Sequence, residues 1–105
     1  MVAPTEGADM YARTSTWSGS PDSLEKWTTN CDTRVRPFVE GLPGNKGVMF
    51  FVDAEQGQAM TLTLWDSEAA ATASDQYAEQ SRESTVAATG AELITRGRYE
   101  VVGGD

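Results

Sequence analysis

Residues 47 to 67 read GVMFFVDAEQGQAMTLTLWDS. Two runs of β-branched, aromatic and aliphatic residues flank a short polar segment with one glycine, the pattern of a β-hairpin. This stretch narrows the fold further than any other, because its first arm is apolar on both parities. Val48, Phe50 and Val52 fall on one face, Met49 and Phe51 on the other. A strand that is apolar on both sides needs both sides covered. One layer of helices covers only one of them.

The flanking sequence supplies the helices. After a strand-like MYARTSTW, the segment SPDSLEKW carries a helix-start signal: Ser20 as N-cap, Pro21 at the first helical position and Asp22 beside the positive helix end. Leu24, Trp27, Cys31, Val35 and Phe38 then recur at three- and four-residue spacing as one apolar stripe. Pro37 lies inside that stripe and is expected to kink or loosen the last turn. On the far side of the hairpin, DSEAAATASDQYAEQSRESTVAATG predicts a second helix, with Asp66 or Ser67 as N-cap and Gly90 closing it. Its expected inner face is Ala70, Ala73, Tyr77, Ser81, Ser84 and Ala88, nearly all small. ELITRGRYEVV completes the chain as a fourth strand.

The order strand, helix, strand, strand, helix, strand, with right-handed crossovers and a central hairpin, predicts an α+β ferredoxin-like βαββαβ fold. Its four-stranded antiparallel sheet has order 4-1-3-2, with both helices on one face. The open face is then expected to meet the sheet of an identical chain in a two-fold homodimer; the alternative is a monomer with a modest exposed patch. Residues 1–9 read as an N-terminal arm or leader, 10–102 as the single domain and 103–105 as a tail.

Charge and composition restrict the partners. Eight basic against sixteen acidic residues give a net charge of −8, which repels phosphate backbones and anionic bilayers, so neither nucleic acid nor membrane is an expected partner. The first ten residues lack the basic start and apolar core of a signal peptide, and the expected location is cytoplasmic. One cysteine excludes an internal disulfide. The sequence has no histidine. That removes a His-ligated haem, the usual zinc and non-haem iron sites, and the Ser-His and Cys-His nucleophile pairs.

YARTSTWSGSPDSLEKW, PGNKGVMFFVD, MTLTLWDSEAA and the closing RYEVV together resemble the dimeric α+β barrel superfamily, in particular the small proteins grouped with antibiotic-biosynthesis monooxygenases and haem-degrading monooxygenases. The resemblance spans about residues 10 to 102. It implies a barrel of two sheets in a dimer and a pocket between helices and sheet in each subunit. It also implies that the tryptophan at the end of the third strand, Trp65, lines that pocket.

Read on its own residues, Trp65 has two possible places. It shares a strand face with Thr63 and Thr61, opposite Leu64, Leu62 and Met60. If the threonine face meets the helices, Trp65 walls a pocket; if the leucine face does, Trp65 is a plug in the dimer barrel. Topology sets Trp65 beside the start of the first strand and near Phe38. Trp17 falls at the opposite end and is not expected to share a pocket with Trp65. Candidate ligand-binding residues are Trp65, Thr63, Arg13, Tyr77 and Phe38, with no catalytic residue assigned and no metal or cofactor expected. Arg13, in a central strand, either binds an anionic group or pairs with an acidic residue such as Glu100 across the neighbouring strand. Trp27 and Cys31 read as core, and Arg82 with Glu79 and Glu83 as a solvated helix face.

The resemblance implies a cofactor-independent monooxygenase acting on a small phenol- or quinol-type aromatic. Haem degradation, the other activity in the group, loses its proximal histidine here. The alternative is a non-catalytic dimer of the same fold that binds a small molecule or serves as a structural partner.

Overall fold

The computed structural model describes residues 10–103. The arm expected at 1–9 and the last two residues of the tail lie outside the described residues. Four strands, β1 (Tyr11–Ser18), β2 (Asn45–Asp53), β3 (Gln58–Trp65) and β4 (Glu92–Glu100), form one antiparallel sheet in the order β2-β3-β1-β4. This is the expected topology. Tyr11 lies opposite Trp65 on one side and Glu100 on the other.

The helical segments are more broken than the periodicity predicts. The first comprises α1 (Pro21–Asn30), a π-helical turn over Cys31–Val35 and α2 (Arg36–Glu40). Ser20 caps α1, its side chain accepting from the Ser23 amide at 3.1 Å. Pro37 explains the wide turn: its ring has no N–H to give and collides with the carbonyl four residues back, and widening the preceding turn relieves both problems. The second segment comprises α3 (Glu68–Ala73), capped by Ser67, and α4 (Asp75–Thr89), which ends at Gly90 with φ +78°. The expected single helix is interrupted at Ser74 because the Ala71 carbonyl, which would accept from Asp75 in a continuous helix, instead receives the Ser74 hydroxyl and the Arg13 guanidinium.

Helices cover one face of the sheet, and strand parity shows which. Trp17 and Ala59 pack with Leu24, Trp27, Cys31 and Ala91 at one end. Val48 and Trp65 pack with Val35, Val39 and Ala71 at the other. Phe50 touches both clusters. The threonine side of β3 therefore faces the helices, and Leu62, Leu64 and Met60 share the open face with Met49 and Phe51. Thr63 is buried, while Met49, Phe51 and Tyr99 are exposed.

The connection entering β2 depends on Gly44. Its φ is +83°, and its carbonyl accepts from the Asp66 amide at 2.8 Å. An added Cβ would lie 2.5 Å from the Ala70 Cβ and 2.9 Å from Asp66 Oδ1. Gly44→Ala is therefore expected to cost about 1–2 kcal/mol from backbone strain and crowding, read as a lowered denaturant midpoint with an unchanged slope.

Candidate functional site

Between the two core clusters the helices stand away from the sheet. The expected inner face of the second helical segment is wrong by one residue. The chain buries Ala71, Ser74, Arg82, Thr85 and Thr89, and leaves Ala73, Ser84 and Ala88 exposed. Alanine and serine occur on every side of this segment, so only Tyr77 marked a phase, and Tyr77 sits at a rim. Apart from Arg82 the true inner face is also small, and it presents Ala78, Ser81 and Thr85 to a cavity against the sheet.

All five sequence-predicted residues, Trp65, Thr63, Arg13, Tyr77 and Phe38, line this one cavity. Trp65 faces the helices, only 2 % exposed, and its indole Nε1 donates to Thr63 Oγ1 at 2.9 Å. The flat indole face, rather than its N–H, is what it offers the interior. Phe38 and Tyr77 meet edge to face with centroids 6.1 Å apart and are both partly exposed, closing the mouth. Trp17 also lines the cavity, contrary to expectation. It does stand at the far end of the sheet, but the small side chains of α4 leave the space continuous along the strands. Trp17 packs tilted on Trp27 at 6.3 Å, and Trp27 meets Phe50 edge-on at 6.1 Å.

Two arginines reach the cavity. Arg13 does not pair with Glu100, which lies opposite Tyr11 instead. It crosses to the helix break, donating through Nη2 to the Ala71 carbonyl, the Asp75 carboxylate and, at 3.1 Å, Ser74 Oγ. Arg82 is not part of a solvated face: it is 9 % exposed, with Nη2 3.1 Å from Glu79. Burial pulls its guanidinium below the ordinary arginine range, against the pull of Glu79. Sequence reasoning missed Arg82 because an i,i+3 acidic partner reads as a surface pair. A helix phase taken from Ala71 and Ser74 would have placed it inside.

The unsatisfied groups show one further regularity. Among the described residues, the buried side-chain nitrogens and oxygens without a hydrogen-bond partner are Arg13 Nε, Trp17 Nε1, Trp27 Nε1 and Arg82 Nε. Each is an N–H donor, and each belongs to a residue that lines the cavity. A buried orphan donor costs about 1–3 kcal/mol, and all four of these belong to residues around one space. The open volume is about 50 Å³, room for one or two waters. Small-molecule pockets usually span about 300–1,000 Å³, so the open space is several times too small for one as it stands.

Nothing in the cavity is built as a base. Cys31 is its one thiol, and burial pushes it up to about 12. The folded pKa is raised, so Cys31 contributes most below its unfolded value. That contribution is lost as pH climbs from about 9 toward 12. At pH 7–8, alkylation of Cys31 by iodoacetamide is expected to proceed only as fast as the chain opens. Labelling of the native protein at the rate of a free thiol would contradict this burial. Among the described residues no cluster of three or more His, Cys, Asp or Glu could hold a metal, and no helix is long and apolar enough to cross a membrane.

No family model matches the chain, and no curated protein matches it. Solved structures do. SnoaB, a cofactor-independent oxygenase from Streptomyces nogalater, superposes with a TM-score of 0.66 at 14 % identity over 92 % of this chain and 97 % of that one. A monooxygenase from the gene ActVA-Orf6 of Streptomyces coelicolor, in complex with Nanaomycin D, gives 0.70 at 14 % identity over 94 % and 92 %. A conserved protein from Methanosarcina mazei Go1 gives 0.70 at 9 % identity over 92 % and 97 %. At these identities the likeness concerns architecture: the chain has the ferredoxin-like α+β fold of these structures and of the putative antibiotic biosynthesis monooxygenase from Nitrosomonas europaea, which gives 0.67 at 17 % identity over 91 % of each chain.

Proposed function

We propose that this chain binds a small oxygen-bearing aromatic molecule between its helices and sheet and oxidises it with dioxygen without a cofactor. The observation that carries the reading is the set of four buried N–H groups without acceptors around one tryptophan-walled cavity. Carbonyl, phenol or quinone oxygens on a flat ring system satisfy such a surface, the ring lying on the faces of Trp65 and Trp27. The shared fold with oxygenases supports the reaction class.

Such a ligand needs several times the open space, and Tyr77 is where it comes from. Tyr77, Leu42 and Ser74 line both the cavity and a surface groove of about 540 Å³. Swinging the half-exposed Tyr77 ring outward joins the two. In chemical terms the protein holds and desolvates the substrate. Arg13 and Arg82 stabilise its oxyanion, the proton passing to solvent water, and the anion makes the ring electron-rich without a protein base. For an anthrone, a ring CH₂ becomes C=O. Four electrons pass from that carbon to dioxygen, one oxygen atom stays on the carbon, and the other leaves as water with the two hydrogens.

Oxygen uptake with anthrone and with hydroquinones under ¹⁸O₂ tests this. The expected result is catalysed uptake with one ¹⁸O in the anthraquinone product; uptake no faster than in buffer overturns the oxygenase reading. Binding without uptake would favour the non-catalytic alternative.

The exposed Met49, Phe51 and Tyr99 on the open sheet face support a second copy of the chain as its cover. Sedimentation is expected to give the mass of a homodimer, and the double variant Met49→Asp, Phe51→Asp that of a monomer. A monomeric unaltered chain at micromolar concentration would contradict the pairing.

A further inference from the structure

On the side of Arg13 and Arg82 away from the cavity, a second groove of about 320 Å³ runs between α4 and the edge strand β4, lined by Arg13, Asp75, Glu79, Arg82, Arg96, Gly97 and Arg98. We propose that it is an anion subsite, taking a carboxylate or phosphate substituent of the aromatic molecule held in the cavity. This rests on the cavity reading above and adds the substrate class: an aromatic acid or phosphate ester.

Charge placement carries the assignment. The sequence has eight basic residues and a net charge of −8, yet four arginines converge here on two carboxylates. Glu79 serves two of them, accepting from Arg96 at 2.8 and 3.1 Å and from Arg82 at 3.1 Å. Asp75 is taken by Arg13. Arg98 finds only the Thr72 hydroxyl, at 2.8 Å. Among the described residues Arg98 has no ion-pair partner, and four positive charges line the groove against two carboxylates.

Their arrangement is also costly without an anion. Arg13 and Arg98 are directly opposite each other in the β1–β4 ladder, where like charges repel most strongly. Charge pairs that only staple β4 to α4 would balance; this set does not. Guanidinium forks match the paired oxygens of carboxylate and phosphate.

The cavity and the groove share Arg13 and Arg82 as a common wall. Both have a buried Nε without a partner. Under this assignment the acidic substituent of a ring lodged in the cavity lies past these two side chains, in the groove beside Arg96 and Arg98.

Three ligands of one ring system test this by tryptophan fluorescence at low salt: 2-(hydroxymethyl)anthraquinone, its phosphate ester and anthraquinone-2-carboxylate. Both acids are expected to bind on the order of tenfold more tightly than the neutral alcohol, the doubly charged ester the most. The double variant Arg96→Gln, Arg98→Gln is expected to bring all three within about twofold by weakening only the acids. On the unaltered chain the preference for acids is expected to shrink as salt rises, a measurement that needs no variant. Equal binding of acid and alcohol by the unaltered chain, or a preference that survives in the double variant, overturns the subsite and leaves the cavity reading standing. Binding of none of the three overturns both.

Discussion

Trp65→Ala is expected to lower stability by about 3–5 kcal/mol, a large share of the roughly 5–15 kcal/mol that holds a domain of this kind together. The side chain is almost wholly buried against Val35, Val39, Val48 and Ala71. Truncation removes that contact and leaves Thr63 Oγ1 without its indole donor. The cavity cannot absorb the loss, because it adjoins the site and adds to the void instead of closing it. Trp65→Phe keeps most of the ring contact and is expected to cost about half as much or less. Chemical denaturation measures both. A cost below about 1 kcal/mol for the alanine variant would mean that Trp65 is not part of the packed interior. The tryptophan is thus a packed interior residue that also borders the cavity, with its N–H spent inside the protein.

Arg82→Met is expected to act in the opposite direction on stability. The guanidinium is buried, its Nε has no partner, and its one carboxylate, Glu79, is half exposed and shared with Arg96. Replacing such a group by an apolar side chain of similar length commonly stabilises by about 1–4 kcal/mol. For a chain of this size each kcal/mol corresponds to roughly 4–8 °C in Tm. The same substitution removes a donor from both cavity and groove, and binding of an acceptor-bearing aromatic is expected to fall by on the order of tenfold or more. A more stable protein that binds worse is the signature of a charge kept for a ligand. A loss of more than about 2 kcal/mol would show instead that Arg82 is a structural ion pair.

The elements that announce themselves locally were legible in the sequence. Ser20 and Pro21 start α1, Gly90 takes the left-handed conformation at the end of α4, and the Ala54–Gly57 turn joins β2 to β3. Each signal is chemistry between near neighbours, and with the hairpin it suffices for the strand order. Which sheet face receives the helices was not legible. In most half-exposed sheets the aliphatic side goes inward, whereas here Thr61 and Thr63 face the cavity and the leucines face away. The inversion fits an open space on the helix side and a leucine face left for another surface to cover.

The phase of α4 failed for a related reason. A helix face that leaves room carries Ala, Ser and Thr, which generate almost no hydrophobic contrast, and an arginine at the inner position reverses what contrast remains. The break at Ser74 depends on Arg13, 61 residues away in sequence, and no local pattern could announce it. All five site residues nevertheless converge, because strand ends and helix ends meet where topology puts them. Trp27 and Cys31 are core, as their place on the apolar stripe predicts, whereas the burial of Arg82 and the reach of the cavity to Trp17 are properties of packing rather than of residue type.

The most direct test of the proposal that the four unpaired donors serve a ligand is the ¹H–¹⁵N spectrum of the indole and arginine side chains during titration with 2-(hydroxymethyl)anthraquinone. The N–H groups of Trp17 and Trp27 and the Nε–H groups of Arg13 and Arg82 have no acceptor in the protein, and their signals are expected to shift in step with binding. The Trp65 indole, already bonded to Thr63, is expected to move least. Saturation of the protein with the four acceptor-free signals unchanged would contradict the account.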